Sequence, residues 1–243
     1  MARAGRPPQD PARQAERAHR ILDAAAELIL RWGYDKTTVD DVARRAGVAK
    51  GTIYLHWKTR EELFAALLRR ERVLMLDRVR EAAPATLGEL FGSLAAALLH
   101  RPLLHAVLLD DSEVLGKLTR LKRQRPAAGG LELGGPFDAY LRELVRLGAV
   151  RAQPAEHVTV IGSIFYGFMF LPGAQPESER LPDDRVAELL AETVERAVGT
   201  GRALPPGDAA AVARATLDLI DALADVARRK LATSMSPAKE RVQ

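Results

Sequence analysis

The chain contains no cysteine among its 243 residues. Disulfides, thiolate metal sites and cysteine nucleophiles are therefore excluded. Asparagine is also missing, which fits either a thermally stressed host or a GC-biased genome. Aromatic residues make up only 5%. With Ala and Leu abundant, that balance suits helix bundles better than sheets. No segment sustains the period-two alternation of a half-buried strand. Long apolar runs are lacking too. The longest uncharged run in a helical reading, Val158 to Leu171, is too short to cross a bilayer and contains Gly162, Ser163 and Gly167. The first residues, MARAGRPPQDPARQ, carry charges but no apolar core, unlike a secretory leader. These absences predict a cytoplasmic, all-α protein. No GxSxG, HExxH or P-loop occurs, and the histidines (His19, His56, His100, His105 and His157) are scattered. No metal site, cofactor or enzymatic activity is expected. The enzyme alternative needs a carboxylate pair hidden in a bundle, and no spacing proposes one.

Basic charge is present and unevenly placed. Residues 1–80 hold 17 Lys and Arg against 11 Asp and Glu; residues 81–243 hold 19 against 21. A basic segment of this kind is the electrostatic footprint of a nucleic-acid-binding domain. Within it lies TTVDDVARRAGVAKGTIYLHWKTREELFAALL, from Thr37 to Leu68. Thr38 is a candidate N-cap, with Asp41 three residues on. Ala43 lets two helices cross closely, Gly47 supplies the sharp turn and Ile53 plugs the second helix onto the first. This is the spacing of a helix-turn-helix, whose second helix, Lys50 to Trp57, enters the major groove. Lys50, Thr52, Tyr54, His56 and Lys58 are its candidate contacts to phosphates or base edges, and Gly51 allows close backbone approach. Taken singly, each of these residues reads better as a surface side chain, and Tyr54 as a half-buried ring; the set, with its Ala-Gly-Ile frame and caps, reads as a DNA contact surface. Thr59 to Glu62 forms a capping box that starts a long helix. Ahead of the motif, Arg13 to Trp32 is a helix with Ile21, Leu22, Ala25, Leu28 and Ile29 inward and Gly33 at its end.

The stretch WGYDKTTVDDVARRAGVAKGTIYLHWKTREELFAALL resembles the N-terminal domain of the tetracycline-repressor (TetR/AcrR) family of transcriptional regulators. The resemblance covers about residues 13–68. It implies that Lys50, Gly51, Thr52, Tyr54 and His56 face DNA. It further implies that Tyr54 and the backbone around Thr38 and Val39 hold phosphates, and that Lys58 and Arg60 lie near the DNA backbone. Two positions depart from the family's pattern. Ala49 stands where serine is frequent, and Trp57 where phenylalanine is usual.

The expected organisation has four parts. Residues 1–12 are a disordered basic arm, in which Arg3 and Arg6 either enter a minor groove or carry incidental charge. Residues 13–68 are the helix-turn-helix DNA-binding domain. Residues 69–231 are a larger C-terminal helical bundle for ligand binding and dimerisation, and residues 232–243 are a disordered tail. Within the bundle, helices are expected over 86–100, from Pro102, over 114–123, over 137–147, from Pro154 through Phe170, over 183–198 and over 208–231. A Gly/Pro-rich loop is expected from Lys122 to Pro136. The helices 183–198 and 208–231 are read as a hairpin that forms a four-helix dimer interface with a second copy, which the family resemblance also implies. His105, Phe165, Tyr166 and Met169 are candidate residues around a small-molecule effector; the alternative is that the aromatics are ordinary core and dimer contacts. The expected function is a ligand-responsive regulator, a repressor that binds palindromic operator DNA as a homodimer. The alternative is a regulator with no small ligand.

Overall fold

The computed structural model describes residues 11–116, 134–152 and 154–236. Among these residues it is all-α, with a single isolated bridge between Val150 and Gly199 outside the helices. The N-terminal headpiece comprises α1 (Pro11–Trp32), α2 (Val39–Ala46), α3 (Lys50–His56) and the first turns of α4 (Arg60–Ala82). The larger unit continues with α5 (Leu87–Leu99), α6 (Pro102–Leu109) and α7 (Ser112–Leu115). It is completed by α8 (Gly134–Arg146), α9 (Pro154–Ala174), α10 (Asp183–Val198) and α11 (Pro206–Met235).

Two apolar cores result. The smaller gathers Ile21, Leu22, Leu28, Tyr34, Val42, Ile53, Trp57, Phe64 and Leu67 from the headpiece. It also takes Leu103 of α6 and Leu115 of α7, so the headpiece core is closed by residues from beyond position 68. The backbone reinforces this junction, where Tyr34 N donates to Val114 O at 2.8 Å. The larger core combines α5, α8, α9, α10 and α11 with the far half of α4. α4 therefore belongs to both units, one end in each.

Several expectations about element ends are corrected. Gly134, Gly135 and Pro136 open α8 rather than closing a loop, while the rest of the expected loop lies outside the described residues. Pro172 lies inside α9, which runs on to Ala174. α11 does not stop at Leu231. It continues to Met235, so the stretch expected to begin the tail is helical, and Ser234 is buried. The largest correction concerns the expected hairpin. α10 packs on α5 and α9, and α11 packs on α4 and α8. Of the apolar residues on these two helices, Val186, Leu190 and Val194 on α10 and Val212, Leu219, Ile220 and Leu223 on α11 are buried inside the chain's own bundle, Leu189, Ala197 and Ala215 are half-buried, and Val226 is exposed. Amphipathicity shows that a helix has a face to bury, and leaves open what buries it.

Candidate nucleic-acid interface

Local chemistry fixes the motif's two helices. Thr38 caps α2: its hydroxyl accepts from Asp41 N at 3.2 Å, and Thr38 N donates to the Asp41 carboxylate at 3.2 Å, a reciprocal capping box. The same hydroxyl donates to Asp41 Oδ2 at 2.6 Å. These bonds stabilise the anion and hold the Asp41 carboxyl below its usual range. α2 ends at Gly47, whose φ of 65° is left-handed. Val48 N then closes on Ala43 O at 3.0 Å, as a glycine-terminated helix end requires. Ala49 caps α3 without any side-chain bond. At α4, Thr59 Oγ1 accepts from Glu62 N at 3.1 Å, but the Glu62 carboxylate reaches Lys58 N at 2.9 Å rather than the Thr59 N–H expected of a full box.

α3 has one face in and one face out. Ile53 (1% exposed), His56 (2%) and Trp57 (0%) face the core. Lys50, Gly51, Tyr54, Leu55 and Lys58 are exposed, with Thr52 between the two faces. This corrects the assignment of His56 as a DNA contact: its ring is buried and packs 5.2 Å from the Trp57 ring. The expected set of every second residue follows a strand's period; a helix repeats every 3.6 residues. With Ile53 inward, the next inward positions are 56 and 57, and the outward ones 54, 55 and 58. Leu55, more than half exposed, was missed for that reason and could have been found by projecting the helix from Ile53.

The remaining candidates divide. Tyr54 stands free on the outer face, 43% exposed. Lys50 Nζ pairs with Asp40 Oδ2 of α2 at 2.7 Å, and this bond raises the lysine's pKa. A phosphate at Lys50 therefore competes with a carboxylate already in place. Arg60 is turned inward. Its guanidinium lies 4.0 Å over the Tyr34 ring and donates to Thr37 O at 3.1 Å and Tyr34 O at 3.4 Å. It ties the α1–α2 turn to α4, a structural role with half-burial. Tyr34 itself is buried and donates to Glu61 at 3.1 Å; burial pushes its phenol up to about 12. Thr38 is exposed and Val39 half-buried at the N-terminus of α2, where backbone N–H groups favour an anion.

The four residues expected around an effector do not share one wall. Phe165 and Met169 are in the core, whereas Tyr166 faces outward, 45% exposed, and stacks on Phe170 at 6.2 Å. Adjacent helical positions differ by about 100° in direction, so neighbours such as Phe165 and Tyr166 point apart. His105 Nε2 lies 3.0 Å from the Met169 carbonyl; the carbonyl can only accept, so the ring donates there. A cavity of about 80 Å³ lies elsewhere in the bundle, lined by Leu87, Leu144, Val150, Arg202 and Val212 among others.

Known proteins carry the same module. Residues 21–67 match the family described as bacterial regulatory proteins, tetR family. The fatty acid metabolism regulator protein of Bacillus subtilis is 39% identical over 61 residues, 25% of this chain and 31% of that protein. The HTH-type transcriptional activator FasR of Mycolicibacterium smegmatis is 37% identical over 71 residues, 29% of this chain and 32% of that one. The chain thus spans about a third of the length of these curated relatives. Among solved structures, SmeT, the repressor of the Stenotrophomonas maltophilia multidrug efflux pump SmeDEF, aligns with a TM-score of 0.50 at 20% identity. The alignment covers 78% of this chain and 94% of SmeT. SmeT in complex with triclosan aligns with a TM-score of 0.51 at 21% identity, over 79% of this chain and 96% of that one. That likeness extends the shared fold from the headpiece through the larger bundle.

Proposed function

We propose that the chain is a transcriptional repressor of the tetR family of bacterial regulatory proteins, one that binds paired operator half-sites as a homodimer and is released by a small molecule. The observation that carries the reading is α3 itself, held by Ile53, His56 and Trp57 while Tyr54, Leu55, Lys50 and Lys58 project outward. In a major groove, Lys50 and Lys58 meet phosphates and Tyr54 supplies both a hydroxyl and an apolar ring. Thr38 and Val39 at the head of α2 take a further phosphate, and Gly51 and Thr52 lie where α3 comes nearest the DNA.

Dimerisation in this reading uses α9 rather than the buried faces of α10 and α11. The window Glu156–Ala174 is strongly apolar, yet only 22% of it is buried. Val158, Gly162, Tyr166 and Phe170 recur every four residues on its open side. A second copy of the same face is self-complementary about a twofold axis, as paired half-sites require. The effector is argued from SmeT, which is known in complex with triclosan. A drug-sized ligand needs about 300–1,000 Å³, so its entry selects a more open packing of the bundle. That packing changes the spacing of the two headpieces and releases the operator.

Selection of bound sequences from a random DNA pool by the full chain at moderate salt tests the reading. An inverted repeat whose half-site centres lie about 34 Å or a multiple apart is expected, with affinity falling steeply as salt rises. Recovery of unrelated sequences, or a flat salt response, would sink it. Transcription from a promoter bearing the repeat then separates repression from the activation carried out by a protein such as FasR.

A further inference from the structure

α4 and α11 run antiparallel, and polar pairs mark their register from one end to the other. Arg80 Nε donates to Asp221 Oδ1 at 2.7 Å, Arg228 donates to Asp77 Oδ1 at 2.6 Å, and Arg69 donates to the Ser234 hydroxyl. This ladder brings the last turn of α11 to the headpiece. There Trp57, the residue that ends α3, donates its indole Nε1–H to Ser234 O at 3.0 Å. Solvent is excluded from both partners, with Trp57 0% and Ser234 2% exposed. Met235 packs beside them on the headpiece core.

The chemistry is complementary. Carbonyls in the last turn of a helix lack an intrahelical donor, and α11 ends at Met235. An indole N–H can only donate, so it satisfies one of those carbonyls where water cannot reach. A phenylalanine at position 57 keeps an aromatic ring in the core, but it is smaller and offers no donor, and the bond to α11 is lost.

We propose that Trp57 and Ser234 are positioning residues for DNA recognition, fastening the end of the DNA-reading helix to the last turn of α11. The proposal rests on α3 being that helix. Neither residue touches solvent, so neither reads a base. What they set is the orientation of α3 relative to the bundle, and hence the separation of the two α3 helices in a dimer. α4 is then one member of a two-helix strut, and repacking of α11 against α4 moves the headpiece directly.

The test begins with Trp32→Phe in the full chain, which leaves Trp57 as the only tryptophan of the two. Removal of residues 232–243 in that background is expected to shift Trp57 emission to longer wavelength as its cover is lost. Trp57→Phe in the native background, which retains an aromatic ring in the core and removes the donor, is the second variant, with its helix content checked by circular dichroism. Each is assayed on inverted repeats with one selected half-site and different spacers. Both changes are expected to reduce the preference for the best spacer over one two base pairs longer by about threefold to tenfold, the scale of one buried hydrogen bond. Base preference within a half-site stays as it was. Unmoved emission after truncation overturns the contact. An unaltered spacer profile in Trp57→Phe, or a change in base preference, overturns the positioning role. If the native chain selects no inverted repeat, the DNA-reading premise falls and the positioning role with it, while the emission result still decides whether α11 covers Trp57.

Discussion

His157 is a polar side chain whose charged form the fold disfavours. It is 6% exposed, and its Nδ1 finds no hydrogen-bond partner among the described residues. Burial, with the charge of Arg151 adding to it, pushes the imidazolium down from its ordinary value near 6.5. Below that value the unfolded chain binds a proton that the folded chain resists, so stability falls as pH drops from about 6.5 toward the lowered folded value. Thermal unfolding between pH 7.5 and 5.5 is expected to show a declining midpoint. His157→Leu should flatten the decline and be nearly neutral at pH 7.5, because an apolar group of similar size has nothing to leave unpaired. A decline of the same size in the variant would clear His157 of the effect. At this scale the sequence was informative where a residue's role is local. Thr38, Gly47 and Thr59 do what their types predict, since a cap or a left-handed turn involves only neighbours a few positions away. The burial of His56 and the bonds of Arg60 were not legible, because their partners, the Trp57 ring and the Tyr34–Thr37 turn, are assembled by folding.

Close helix approach distinguishes α5 from its neighbours. A Cβ at Gly88 would meet Ala191 O at 2.7 Å, and one at Gly92 would meet the Ala191 Cβ at 2.9 Å. Two glycines one turn apart on α5 thus let the backbone of α10 come nearer than side chains allow. Gly88→Ala is expected to lower stability by about 1–3 kcal/mol, the range for overpacking a tight core, read as a lower urea midpoint. An unchanged midpoint would mean that α10 yields without cost. Gly199 closes α10 for a related reason. Its φ is ordinary, but an added Cβ would lie 2.4 Å from Glu195 O. Periodicity located α10 and the core of α9 within a few residues. It did not locate the end of α11, because Ser234 is held in helix by Trp57 and Arg69, which are 177 and 165 positions away in the chain.

For the whole molecule, the open face of α9 is an apolar surface that the described residues of the bundle leave uncovered. Tyr166 and Phe170 stack with an interplanar angle of 8° and are both about half exposed. A carboxylate there meets water in a monomer but a second apolar face in the proposed dimer. Phe170→Glu is expected to give a folded monomer in sedimentation, with helix content retained and operator affinity reduced at least tenfold, since each half-site is then bound singly. A variant that remains a dimer would move the interface off α9.

The sequence by itself determined the helical class, the position of the helix-turn-helix, its caps and turn, and the basic balance of the N-terminal third. Each depends on composition or on residues within one helical turn of each other. Tertiary structure decided which face of each helix is buried and by what. It placed α10 on α5 and α11 on α4, turned His56 inward and Tyr166 outward, and carried the end of α11 to Trp57. Those outcomes depend on which apolar stripes find one another, and many pairings of amphipathic helices satisfy the same periodicity until the volumes of particular residues, such as the missing side chains at Gly88 and Gly92, admit only one.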